Sequence, residues 1–163
     1  MIVTGNVQVD KRHLSLGRDV VIPKLEASPE VLERFKEWAR CMKGLQDSDD
    51  GRDAREERVH PLAILQLNHT GRQSPNFIGG RLPFVAPLSA SATRVGSSSR
   101  TAQSTSATAQ WISYLAYALL FQRAREMTRS DIDEVISACM RGARLAVEAG
   151  FDGVQLHAAH GCE

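Results

Sequence analysis

Residues 150–163 read GFDGVQLHAAHGCE. A glycine closes the segment before it, Phe151 leads into a strand-like run over 153–157, and His157 and His160 follow three residues apart. Immediately upstream, Thr128 with Asp131 three positions on is an approximate capping box. Ile132, Val135, Ile136, Cys139, Ala143 and Ala146 then recur at helical spacing. The stretch is therefore a helix delivering a strand whose end carries polar groups.

The same unit recurs toward the N-terminus. Pro61 precedes LAILQL, a nearly continuous apolar run of the kind expected for a strand buried on both faces, closed by Asn68-His69-Thr70-Gly71-Arg72. Before it, Ser28-Pro29-Glu30 supplies an N-cap, a proline at N1 and an acid in the first turn. Val31, Leu32, Phe35, Ala39 and Met42 form an apolar stripe, with Gly44 at C′, predicting a helix over 29–43. Ile2, Val3 and Thr4 read as a short strand ending in a Gly5-Asn6 turn. The order β, α, β, loop, α, β calls for parallel βαβ units with right-handed crossovers.

Two stretches break the pattern. Residues 45–60 are charged and unpatterned and read as a solvated loop. Residues 73–109 form a long connection in which 16 of the last 21 residues are Ser, Thr or Ala, a composition that favours a flexible segment. The apolar run at 111–121 reads either as a short helix packed on the domain or as a patch left by a missing neighbour. It is too short to span a bilayer.

The chain has 163 residues, 42% of them apolar, enough for a single domain with a sizeable core. A net charge of +1 gives no electrostatic case for nucleic acid or an anionic membrane. Cys41, Cys139 and Cys162 are an odd, scattered set, which argues for a reducing compartment and against a disulfide framework or structural zinc. With no leader-like segment behind Met1, a soluble cytoplasmic protein is expected.

In parallel α/β folds the carboxyl ends of the strands form the active face. Thr4 and Gly5 lie at the first such end, Gln66, Asn68 and His69 at the second, and His157 and His160 at the third. A glycine there admits a ligand close to the backbone. The amide of Gln66, inside an apolar strand, needs a partner, and the N–H and C=O edge of a planar heterocycle would supply one. His157 and His160 suit two hydrogen bonds to one carbonyl or anionic oxygen. As metal ligands the two lack a completing Asp, Glu or Cys at suitable spacing, Glu163 being the only acid nearby.

The segments TGNVQVDKRHL, AILQLNHTGRQSPN, REMTRSDIDEVI and EAGFDGVQLHAAHG resemble those of the Old Yellow Enzyme family of FMN-dependent NAD(P)H oxidoreductases, fungal type. The resemblance runs along nearly the whole chain. It implies a (β/α)8 TIM barrel with FMN at the carboxyl ends of its strands, of which this α/β chain would hold three parallel strands, the family's second to fourth, with flanking helices. It implies further that Gly5 lies against the flavin, that the Gln66 amide pairs with its pyrimidine edge, and that His157 and His160 face it and grip a substrate carbonyl or nitro oxygen. The implied chemistry is hydride transfer from NAD(P)H to FMN and on to an activated alkene such as an enone, with secondary-metabolite tailoring as a setting.

The chain departs from the family in two ways. Cys162 stands where the proton-donating tyrosine is expected, and a thiol differs from a phenol in pKa and reach. A whole barrel of this type takes roughly 250 residues, so 1–163 reads as a single incomplete domain, truncated at both ends. Weak or absent FMN binding is expected in the isolated chain without a phosphate site, and the bare strand edges call for a second copy or a complementing chain. Two other functions compete with the oxidoreductase. One is a catalytically inactive remnant or interaction module, and the other a flavin-independent isomerase or cyclase using His157 and His160.

Overall fold

A computed structural model describes residues 1–45, 60–95 and 107–159. Its centre is a four-stranded parallel sheet in the order β2-β1-β3-β6, formed by β1 (Ile2–Gln8), β2 (Val20–Val21), β3 (Ala63–Asn68) and β6 (Gly153–His157). Helix α1 (Pro29–Met42) lies between β1 and β3 in the chain, and α3 (Arg129–Glu148) leads into β6. Both helices are capped as their sequences predict. Ser28 accepts the Val31 N–H, and Thr128 and Asp131 form a reciprocal capping box.

One face of the sheet carries the core. Val7, Ala63, Leu65 and Leu67 are almost fully buried and pack with Phe35 and Ala39 of α1 and with Leu145 and Ala146 of α3. Gly142 lets α3 approach β3 closely, since a Cβ there would lie 2.7 Å from a Leu67 methyl. The α1–β6 corner is clasped by Lys43, whose ammonium donates to the Gly150 carbonyl and to Asp152, both at 2.8 Å. The other Asp152 oxygen accepts the Ala63 N–H, a bond that ties β6 to the start of β3. The Lys43 hydrogen bond, with that N–H, holds the Asp152 carboxyl below its ordinary range.

The three expected strands are the long ones, and the two-residue β2 adds a fourth on the outer side of β1. The first strand differs from expectation. It does not turn at Gly5-Asn6 but continues to Gln8, with a register shift against β3 between Val3 and Asn6. The side chain of Thr4 bridges that irregularity, as described below.

The connection beginning at 73 also carries more structure than its composition suggests. After a 3-10 turn at Gly71–Gln73, β4 (Leu88–Ser89) pairs in parallel with β5 (Arg125–Glu126) as a second, two-stranded sheet. The apolar run at 111–121 falls almost wholly within a helix, α2 (Ala107–Leu120), and Trp111, Ile112 and Leu115 of it are exposed. Nearly all of the charged loop, and the middle of the Ser/Thr/Ala stretch, lie outside the described residues. No helix among the described residues is long and apolar enough to cross a membrane.

Candidate functional site at the strand ends

Alternation along a strand puts every second side chain on the face away from the helices. Register then aligns those side chains across β1, β3 and β6. Asn6, Gln66 and Gln155 form one rung, and Gln8, Asn68 and His157 form the next toward the carboxyl ends. The strands therefore carry apolar residues toward the helices and six polar ones on the opposite face.

The two rungs are in different environments. Gln8 and Asn68 are fully buried and joined side chain to side chain at 3.2 Å. Thr70 donates to Gln8 at 2.9 Å, and the Gln8 amide donates to Ser15 at 3.0 Å. The 10–19 loop thus covers this rung, and within it the Asn68 carbonyl oxygen has no partner among the described residues. The rung of Gln66 is open. Its Nε2 donates to Gln155 Oε1 at 2.7 Å, and Gln155 itself is exposed. No described residue meets the Gln66 Oε1 or its second N–H.

Backbone geometry at Gln66 is set by Thr4. The Thr4 hydroxyl donates to the Gly5 carbonyl at 2.8 Å and accepts the Gln66 backbone N–H at 2.9 Å, beside the place where the register shifts. A Cβ built on Gly5 would meet nothing within 4 Å. Gly5 and Gln66 therefore sit side by side on neighbouring strands, one with open space over its backbone and the other with a spare acceptor and donor. A flat ring with an amide-like edge, such as an isoalloxazine, fits that combination.

His157 ends β6, half-buried and in register with Asn68. His160 and Cys162 lie outside the described residues, so the expected histidine pair is represented by His157 alone. The structure brings Gly5, Gln66 and His157 onto adjacent strands. Asn6 and Gln155 are not conspicuous in the sequence as site residues. Their signal was the repeated polar–apolar–polar triplet NVQ, QLN and QLH, one per strand, which the parallel register turns into rungs.

A second polar cluster lies beneath the 10–19 loop. His13 and His69 are buried with ring centroids 4.5 Å apart, beside Asp10. Asp10, His13 and His69 each bring a potential ligand atom to within 4.8 Å of the others. Hydrogen bonding argues against a metal there. The Leu88 N–H donates to His13 Nε2 at 3.0 Å, so the proton sits on Nδ1 and faces Asp10 at 3.3 Å. Ligation through either nitrogen would orphan the Leu88 amide or set two N–H groups against each other. The carboxylate is meanwhile held by Arg12 at 2.7 Å. Burial pushes the Asp10 carboxyl up, but hydrogen bonds from His13 and Arg12 outweigh it and keep it well below the ordinary range. Neither nitrogen of His69 has a partner among the described residues, and burial, reinforced by His13, pushes its pKa down to about 4.

Comparisons with known proteins bear on the family and the fold. The sequence model of the NADH:flavin oxidoreductase / NADH oxidase family matches residues 58–162. A relative described as NADH-dependent flavin oxidoreductase iliE, from Neonectria sp. (strain DH2), is 34% identical over 99% of this chain and 18% of its own length. NADH-dependent flavin oxidoreductase iccE from Talaromyces variabilis is 33% identical over 99% of this chain and 33% of its own. Among solved structures, the old yellow enzyme homologue from Zymomonas mobilis superposes with a TM-score of 0.60 at 22% identity, covering 98% of this chain and 35% of that one. Morphinone reductase superposes at 0.64 and 16% identity, covering 99% and 36%. Both carry the parallel α/β barrel, so the fold seen here is part of a (β/α)8 barrel. The chain spans about a third or less of the length of these relatives.

Proposed function

The chain belongs to the NADH:flavin oxidoreductase / NADH oxidase family, and we propose that its open strand-end face holds the flavin ring and substrate of an Old Yellow Enzyme-like oxidoreductase. The family is FMN-dependent and takes its electrons from NADH or NADPH. When bound, FMN supplies a hydride acceptor for the nicotinamide and a hydride donor for an electron-poor alkene carbon.

The residues of this chain contribute contacts to the ring and to the substrate. Gly5 leaves room for the ring plane, and the Gln66 amide offers the pyrimidine edge an acceptor and a donor. His157 and His160 donate hydrogen bonds to the carbonyl or nitro oxygen of the substrate, where negative charge develops as hydride arrives, stabilisation of the oxyanion-hole type. Cys162, at the position where the resemblance places the family tyrosine, is the proposed proton donor to the α-carbon. The proposed substrates are enones or similarly activated alkenes, of the kind processed in fungal secondary metabolism.

The observation that carries this reading is the Gln66 Oε1 and second amide N–H, without a partner among the described residues, beside the open backbone of Gly5. FMN titrated into the chain should lose fluorescence and gain a shifted flavin absorbance. Its complex should oxidise NADH or NADPH faster when cyclohexenone is present, and alanine at both His157 and His160 should remove that acceleration. Folded protein that stays colourless at FMN concentrations high enough to reveal weak binding counts strongly against the proposal.

A second reading is supported by the exposed edge of β6, where Leu156 is 63% exposed on the helix-side face of the sheet. On this reading the chain is a non-catalytic module whose edge is completed by a second copy or another chain. Flavin content measured together with native mass separates the two, since a module of this kind gains mass without gaining colour.

A further inference from the structure

We infer that Gln155 is a positioning residue for Gln66, fixing which atoms of the Gln66 amide face the open side of the sheet. The inference rests on the proposed role of Gln66 toward the flavin. It stands on the register that pairs the two glutamines across β3 and β6 and on the 2.7 Å bond from Gln66 Nε2 to Gln155 Oε1.

A glutamine amide on an open surface has little torsional preference at its last bond and samples both orientations. Gln66 is constrained at two points. Thr4 holds its backbone N–H at 2.9 Å, and Gln155 takes one of its two amide protons. Turning the amide over while Gln155 stays put would set carbonyl oxygen against carbonyl oxygen. The orientation that remains leaves Oε1 and the second N–H available side by side. Adjacent acceptor and donor atoms match the neighbouring N–H and C=O of a pyrimidine edge, and a preorganised side chain loses less freedom when that edge arrives.

The test compares the parent with Gln66→Leu, Gln155→Leu and Gln155→Glu, all on a half-buried or exposed face where folding is not at stake. Two quantities are read: the side-chain amide signals of Gln66 by NMR without flavin, and the affinity for FMN by fluorescence quenching. Gln155→Leu is expected to shift the Gln66 amide signals toward those of a free glutamine and to weaken FMN about tenfold, the scale of one neutral hydrogen bond. Gln155→Glu, an acceptor in either rotamer, should keep the parent's signals and affinity. If Gln155→Leu changes neither quantity while Gln66→Leu weakens FMN, Gln155 has no positioning role and the flavin reading survives. If Gln66→Leu binds FMN like the parent, or the parent binds none, the flavin reading of Gln66 fails and takes this inference with it.

Discussion

The backbone N–H of Gln66 donates to the hydroxyl of Thr4, on the neighbouring strand, at 2.9 Å. Thr4 is buried, and its hydroxyl proton goes to the Gly5 carbonyl. Thr4→Val keeps the shape and removes both bonds inside a buried site. A loss of about 1–3 kcal/mol is expected, read as a lower urea midpoint. Thr4→Ser, which retains the oxygen, should recover most of it. Equal stability of the valine and serine variants would show that the hydroxyl is not what joins β1 to β3.

That bond also marks the limit of what is legible in the sequence. Period and capping made α1, α3 and the long strands legible, because Ser28, Thr128, Gly44 and Gly150 punctuate the chain and the apolar spacing does the rest. Gly5-Asn6, an ordinary turn signal, does not end the strand, because the Thr4 hydroxyl ties the Gly5 carbonyl to the Gln66 N–H and β1 continues to Gln8. Of the site, Gln66 stood out as a polar residue in an apolar run. Gln155 did not, because its meaning lies in the residue opposite it, and register is a tertiary fact. The 88–89 and 125–126 pair was equally invisible, since two-residue strands have no period to detect.

Gly5 separates a structural from a binding role. A side chain there meets nothing within 4 Å, and its φ is not among the positive ones. Gly5→Val should leave thermal stability within about 0.5 kcal/mol of the parent, as for most substitutions without contacts. Its FMN affinity should fall about tenfold or more, equivalent to about 1.4 kcal/mol, because the branched side chain occupies the space over the backbone. Unchanged affinity in a stable Gly5→Val variant would falsify the placement of the ring against Gly5.

Gly142 gives the opposite outcome. Its added Cβ meets Leu67 at 2.7 Å and Ile22 at 3.3 Å, both in the buried core. Gly142→Val should cost about 1–3 kcal/mol by overpacking, despite the poor helix propensity of the glycine it replaces. Pairing it with Leu67→Ala should recover part of the loss, since the smaller residue vacates the space. Strictly additive losses in the double variant would mean that α3 does not seat on Leu67 through Gly142.

His69 should control stability in mild acid. Its folded pKa is pushed down to about 4 by burial, against 6.5 for an unperturbed histidine. A base with a depressed folded pKa stabilises the fold fully above the unfolded value, so this contribution is complete above pH 6.5 and is lost as pH falls from there toward 4. The span corresponds to about 3 kcal/mol at 1.36 kcal/mol per pH unit. Asp10 acts lower. Its depressed carboxyl stabilises above the unfolded value near 3.8 and loses that contribution only below it, so the two effects occupy different pH windows. His69→Leu replaces two unmatched buried nitrogens with apolar groups of similar size, which is close to neutral at pH 7. Urea midpoints measured from pH 7 to pH 4 should therefore fall steeply for the parent and stay nearly level for His69→Leu. Parallel curves for the two proteins would mean that His69 is solvated or partnered when the chain is folded.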